Sequence, residues 1–273
     1  MTTTASQEAF LLAYHAEHPT VTSDVFAHGR TPDGRSSYEM LRDAVRGSAR
    51  VLDLGCGDEL LLELLAREEG RRLAGVDLSP HSLAVARRRP ALAGARLEAA
   101  RAQRLPFGEG EFDACVSHMA LMLMSEIEQV AGELARVLSP GGALACVVGG
   151  GAVAGEGYDA FLRLLRTAID RAPAAQRIPS LGDRRSRTRE GLGAILSGAG
   201  FVNVRWETVP VDIGGPLENL WSTVSGVYDL GPLDPPTVDR LADAFRGEAA
   251  KLARPDGHVP CGFNIHVVTA HRG

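Results

Sequence analysis

The chain has 273 residues and a mass of 28.9 kDa, with 45% apolar residues, 23% charged residues and a net charge of -5. This is the composition of an ordinary globular α/β protein, and it excludes collagen-like and intrinsically disordered chains. No stretch approaches the roughly 20 apolar residues of a membrane span. The acidic balance gives no general attraction to phosphate backbones, which sets nucleic-acid substrates aside. Met1-Thr2-Thr3-Thr4-Ala5 lacks the basic and apolar regions of a signal peptide, so a cytoplasmic location is expected. Cys56, Cys115, Cys146 and Cys261 are far apart and form no C-x-x-C pair. They read as small buried apolar side chains, with no metal site or disulfide.

Residues 5 to about 46 predict two or three helices. Phe10, Leu11, Tyr14 and His18 recur at three- and four-residue spacing on one face. Gly29 to Gly34 is a turn-rich loop, and Ser36 with Glu39 forms a capping box for the next helix. Val51-Leu52-Asp53-Leu54-Gly55-Cys56-Gly57-Asp58-Glu59-Leu60 then reads as strand, tight turn and helix. Glycines at such a turn open backbone angles closed to other residues and let a ligand approach the main chain. Glu59 at the helix start suits the dipole. Leu60 stands where the dinucleotide fingerprint has its third glycine, which disfavours a dehydrogenase.

Leu73-Ala74-Gly75-Val76-Asp77 is a second strand ending in an acid about 20 residues beyond the glycines, where a doubly wound sheet places the carboxylate that holds ribose hydroxyls. Ser79-Pro80 starts another helix, serine as cap and proline at its first position. A third strand is expected near Leu97. Then come Arg104-Leu105-Pro106-Phe107, the strand Glu111 to Ser117, and Leu134 to Gly142. Ser125 to Glu128 reads as a capping box for a helix running to Leu138, followed by a fifth strand from Ala143 to Val148.

Together these segments resemble the class I S-adenosylmethionine (SAM) dependent methyltransferases of small molecules. The resemblance covers residues 48 to 150 by motif and the remainder by element order. It implies a seven-stranded, mostly parallel, doubly wound α/β sheet with helices on both faces. Residues 1–46 would be an N-terminal helical cap, 47–150 the SAM-binding core, and 151–273 the completion of the sheet with a substrate-covering insert around 214–232, all within a single domain. It further implies that Asp53, Gly55, Cys56 and Gly57 surround the methionine part of SAM, that Asp77 grips the ribose with Leu78 beside the adenine, and that Ala102, Gln103 and Ser117 complete the site. The family often carries an acid reading the adenine amino group where this chain has Arg101, which can only donate hydrogen bonds. Backbone groups or Gln103 must substitute there.

In the second half, Tyr158 to Arg171 predicts an amphipathic helix. Arg184, Arg185, Arg187 and Arg189 form a short basic run, either a solvated loop or an anion site for a phosphate or carboxylate substrate. Thr188 caps a helix ending near Gly198, and Val202 to Ile213 is a long strand. Pro216 to Leu230, with Trp221 and Tyr228, is an apolar insert that reads as a core helix or a lid. A polar helix from Thr237 to Arg254 and a strand from Phe263 to Ala270 close the chain.

Methyl transfer from a sulfonium needs no protein nucleophile. It needs donor and acceptor aligned and dry, a contribution of roughly 7 to 11 kcal/mol to the barrier. A base serves only acceptors that lose a proton early. His118, directly after the fourth strand, is the candidate base, or a histidine that only shapes the pocket. Met119, Leu121, Met122 and Met124 could line a pocket for an apolar acceptor or pack in the core. The acceptor would be a small molecule methylated on oxygen, nitrogen or carbon, and a homodimer is compatible with this reading. Two other readings stay open: an enzyme on the same fold that keeps SAM as a structural ligand while catalysing another reaction such as cyclisation, and a non-catalytic SAM-binding partner protein.

Overall fold

Strand and helix alternate because apolar runs of period two and period 3.6 alternate, and each strand after the first must cross back over the sheet to lie parallel to its neighbour. The computed structural model describes residues 3–58 and 60–273. The expectation for Glu59 lies outside the described residues.

Three helices come first: α1 (Thr4–Glu17), α2 (Val21–Phe26) and α3 (Ser37–Ala44). The core follows as β1 (Arg50–Leu54), α4 (Leu60–Leu65), β2 (Arg72–Asp77), α5 (Pro80–Ala86), β3 (Arg96–Ala99), β4 (Phe112–His118), α6 (Ile127–Val137) and β5 (Leu138–Ala152). Then come α7 (Gly157–Arg171), α8 (Arg189–Gly198), β6 (Phe201–Asp212), a short strand β7 (Gly215–Pro216), α9 (Leu217–Val224), α10 (Pro235–Ala250), β8 (His258–Val259) and β9 (Gly262–Arg272). The main sheet has seven strands in the order β3-β2-β1-β4-β5-β9-β6. All pairs among β1 to β5 are parallel, and β9 runs antiparallel to both β5 and β6. The expected seven-stranded, mostly parallel sheet with helices on both faces is therefore the fold. β7 and β8 form a separate two-stranded ribbon.

Alternation along the central strands feeds two apolar layers. Val51, Val116, Ala145 and Val147 pack on one face with Leu41, Leu62, Phe161 and Phe245. Leu52, Cys115, Leu144 and Cys146 pack on the other with Leu134, Ile195 and Phe201. All four cysteines are buried, and burial pushes the Cys146 thiol up to about 12. Among the described residues, no helix is long and apolar enough to cross a membrane.

The caps at Ser36, Ser79 and Thr188 form as expected. Ser36 Oγ accepts from the Glu39 amide, Ser79 Oγ from Ser82, and Thr188 Oγ1 from Gly191. The one expected at Ser125 does not. Glu126 takes a left-handed backbone (φ 53°) as N-cap of α6 without a side-chain cap, and the Ser125 carbonyl instead accepts from Gln103 Nε2 at 2.8 Å.

The turn after β1 determines where a ligand can sit. Gly55 has φ 73° and Gly57 φ 59°. The amides of Gly55 and Cys56 both donate to the Val76 carbonyl, at 2.8 and 3.1 Å. A Cβ at position 55 would overlap the Ala120 methyl, so the chain leaving β4 passes directly against this glycine. Gly55→Ala therefore combines left-handed backbone strain with overpacking and is expected to cost about 2 to 4 kcal/mol. Urea unfolding measures it, and a loss below 1 kcal/mol would mean the β4 exit loop yields freely.

Candidate active site

A cavity of about 150 Å³ opens above the carboxyl ends of β1, β2 and β4, where the strand order reverses direction. This is the position at which open α/β sheets hold ligands. Asp53, Gly55, Cys56, Gly57, Asp77, Leu78, Ala102, Gln103 and His118 all line it, so the structure brings together every expected site residue but one. Ser117 is the exception. Pleating turns it away from the cavity, and its fully buried hydroxyl donates to the Leu54 carbonyl at 2.8 Å, tying β4 to β1.

Asp77 closes the floor. One carboxylate oxygen accepts the Gly57 amide at 2.9 Å and the other the Ser79 amide at 2.7 Å. Burial raises its pKa, and these backbone bonds together with the nearby His15 oppose the rise. The segment carrying Ala102 and Gln103 is fastened from below by α6: the Glu133 carboxylate accepts the Leu105 amide at 2.7 Å, and Arg136 donates to the carbonyls of Leu105 and Phe107. Gln103 sits against α6 as well, accepting at its carbonyl from Gln129 Nε2 at 3.1 Å.

His118 occupies the end of β4 and is 7% exposed. Its Nε2 lies 2.8 Å from Ser37 Oγ, its ring stacks on Tyr38 at 4.0 Å, and Phe26 meets it edge-on at 5.1 Å. Burial lowers its pKa to about 3. An imidazole so placed stays neutral and takes up a proton poorly, which argues against the base role that its place at the strand end suggests. Met119 follows in a left-handed conformation (φ 55°), a strained geometry of the kind that clusters at functional sites.

The cover combines part of the expected N-terminal cap with part of the expected insert. α1 lies over the cavity with Gln7, Glu8, Leu11, Leu12 and His15, and Tyr228 of the insert meets it. Three contacts hold α1 down: Gln7 Nε2 donates to the Leu123 carbonyl at 2.9 Å, His15 Nε2 lies 3.0 Å from the Tyr228 hydroxyl, and Arg101 pairs with Glu8 at 2.8 Å. Arg101 also reaches Glu126 at 3.4 Å. The residue that departs from the family's adenine reader thus serves as an anchor for the cap helix.

A second cavity of about 930 Å³ adjoins the first, and Met119, Leu123 and Tyr228 belong to the walls of both. It is lined mainly by apolar side chains, among them Phe26, Met122, Leu162, Val224 and Phe263. Asp229 faces it, its carboxyl pKa raised by burial. Nothing in the sequence marked Asp229, since its position depends on the insert folding back over β5 and β9. Among the described residues, no group of three His, Cys, Asp or Glu could hold a metal ion.

A doubly wound sheet with a glycine turn, a strand-end carboxylate and a helical cover at the switch point defines an enzyme built around a nucleoside-bearing cofactor. Residues 52–146, about a third of the chain, match the methyltransferase-domain family, and this match supports a SAM-dependent methyltransferase. A malonyl-[acyl-carrier protein] O-methyltransferase of Enterobacter lignolyticus is 29% identical over 232 residues, 84% of each chain. Among solved structures, the [4+2]-cyclase SpnF is similar with a TM-score of 0.61 at 20% identity, covering 98% of this chain and 97% of that one. The phosphoethanolamine N-methyltransferase 2 of Haemonchus contortus, in complex with phosphomonomethylethanolamine and S-adenosylhomocysteine, is similar with a TM-score of 0.60 at 18% identity. It is covered over 60% of its length and covers 98% of this chain.

The donor-side wall fits SAM. Gly57, beside open space in the cavity wall, admits close approach to the main chain, and the Asp77 carboxylate keeps lone pairs for hydroxyl groups beyond the two amides it already accepts.

Two outcomes follow from this geometry. His118 binds its proton far more weakly folded than unfolded, so stability is complete above its ordinary pKa near 6.5 and is lost as pH falls toward about 3. Between pH 6.5 and 5 the loss amounts to about 2 kcal/mol, and urea unfolding at the two pH values should show His118→Gln losing less than the parent. An equal loss would place the proton-linked group elsewhere. Arg101→Ala removes an exposed pair and should change stability by less than about 1 kcal/mol. Hydrogen exchange of the α1 amides should nevertheless quicken, and unchanged exchange would mean that Arg101 does not hold the cap.

Proposed function

We propose that the chain transfers the methyl group of SAM to a small-molecule acceptor held in the second cavity. One observation carries this reading: the two cavities meet at Met119, Leu123 and Tyr228, so a donor in one and an acceptor in the other can face each other across that common wall. When bound, SAM supplies a methyl group on a sulfonium. The residues of the chain do the rest by position. The turn at Gly55 to Gly57 and the Asp77 carboxylate orient the donor side, α1 and Tyr228 exclude water, and the apolar walls hold the acceptor in line. Neutral His118, between Tyr38 and Ser37, acts as a positioning group for the donor wall. Where the acceptor must lose a proton, Asp229 is the better placed group, since its raised pKa makes it a stronger base than an ordinary carboxylate.

The division into a cap at 1–46, a SAM core at 47–150 and a completing part at 151–273 belongs to this reading, as does action as one domain. The same holds for a cytoplasmic location, for a homodimer, and for the exclusion of nucleic acid that the net charge of -5 favours.

The first test is calorimetric titration with SAM and with S-adenosylhomocysteine, then incubation with labelled SAM and an acceptor panel. Labelled product appearing in step with S-adenosylhomocysteine supports methyl transfer. Product without S-adenosylhomocysteine would turn the reading to a same-fold enzyme such as a cyclase, and no binding of either nucleoside would remove the cofactor site.

Asp77→Asn should weaken SAM binding by about 1.5 to 3 kcal/mol, the worth of a hydrogen-bonded carboxylate. Hydroxyl donors favour the ionised carboxylate, so SAM affinity of the parent should fall as pH drops through the raised titration of Asp77. The asparagine variant should show no such slope, and a parallel slope in both proteins would remove Asp77 from the site.

A further inference from the structure

The basic run at 184–189 is exposed at Arg184, Arg185 and Arg189 and half-buried at Arg187, and two of these arginines line the second cavity. The segment before it closes over the second cavity because Gly182, at φ 64°, lies so near the 122–123 backbone that any Cβ there would collide with the Met122 carbonyl. This contact brings a short 3-10 turn, Arg184–Arg187, to the cavity rim. Its arginines then divide. Arg185 is taken by Asp183 at 2.6 Å and Glu128 at 2.7 Å. Arg189 lies outside the wall and is exposed. Arg184 and Arg187 both line the cavity, and among the described residues neither has a carboxylate within ion-pair distance. The polar contact of the half-buried Arg187 is the thioether of Met122, at 3.4 Å from Nη1, and that sulfur also takes the Gly149 amide at 3.1 Å. A thioether is a weak acceptor, and a cation withdrawn from water calls for a stronger one. Asp229, the carboxylate in the same wall, follows Tyr228 at the boundary with the donor cavity, so it repels an anion from the reacting end and leaves the arginines to receive it.

We infer that the acceptor is an amphiphile with an anionic group, carboxylate or phosphate, that docks on Arg184 and Arg187 while its apolar body fills the rest of the cavity. This rests on the reading of that cavity as the acceptor site. A guanidinium can hold either anion through two parallel hydrogen bonds, and the half-burial of Arg187 beside apolar walls strengthens the pairing there, while Arg184 adds its charge at the exposed rim. The apolar body explains why Met122, Leu162 and Val224 share a wall with two unpaired cations.

The test uses decanoate, decyl phosphate and neutral decanamide as probes, titrated into the full chain with and without S-adenosylhomocysteine. The expected result is that at least one anion binds about tenfold or more tightly than decanamide, and comparison of the two anions tells carboxylate from phosphate. Arg187→Met should abolish that preference while leaving decanamide and S-adenosylhomocysteine affinity within about twofold, an allowance for error in a titration of this kind. Arg189→Met should keep the preference. If Arg187→Met fails to fold, Arg184→Met carries the same test with a partial loss. The inference is overturned if no probe binds, if the parent does not prefer an anion, or if the preference survives replacement of both arginines. Failure of S-adenosylhomocysteine to bind the parent would instead overturn the proposed function, and the titrations without it keep the two failures apart.

Discussion

The carboxylate of Asp77 accepts the amide of Gly57 with one oxygen and that of Ser79 with the other, and the donor side of the site is arranged around that pair of bonds. They join the turn after β1 to the start of α5, two segments that the β1–β2 register already brings level through Leu54 and Val76. Bonds from backbone amides to an ionised group are stronger than neutral ones and leave little angular freedom. The turn, the strand end and the first residues of α5 therefore move as one body. Burial works against the charge of Asp77 while the amides and His15 support it, so the group is poised to gain from hydroxyl donors above it.

Above that floor lie two cavities of different construction. The first is built from backbone turns, the Asp77 carboxylate and residues fastened by α6. The second is assembled from the insert, the segment around 178–187 and the residues after β4. The SpnF likeness illustrates the consequence, since a whole-chain resemblance in fold extends to a protein described as a [4+2]-cyclase. Likeness in fold therefore leaves the reaction open.

Individual residues show where sequence reasoning reached and where it stopped. The caps at Ser36, Ser79 and Thr188 were legible because each depends on atoms three residues apart. The one expected at Ser125 fails because Glu126, in a left-handed backbone, becomes the N-cap of α6, while the Ser125 carbonyl is tied to Gln103, 22 residues earlier in the chain. The same distinction separates the site residues. Gly55, Gly57 and Asp77 follow from a local strand, turn and strand pattern, whereas Ser117 and His118 are adjacent in the chain yet meet different surroundings. Pleating sends the Ser117 hydroxyl to Leu54, and packing against Tyr38 and Phe26 deprives the His118 imidazole of water. The chemical type of a side chain is a property of the sequence, but its basicity is a property of what surrounds it.

The sequence by itself determined the class of fold, the cofactor and the donor-side wall. Alternating apolar periods specify strands and helices, two glycines specify a turn of positive φ, and an acid at a strand end marks the edge where the cavity opens, all over spans of a few residues. The tertiary structure alone decided that Arg101 serves Glu8, that Asp229 faces the second cavity, and which arginines of a run of four are, among the described residues, left without carboxylates. Each of these depends on contacts between elements far apart in the chain, and no local spacing encodes which distant surfaces will meet.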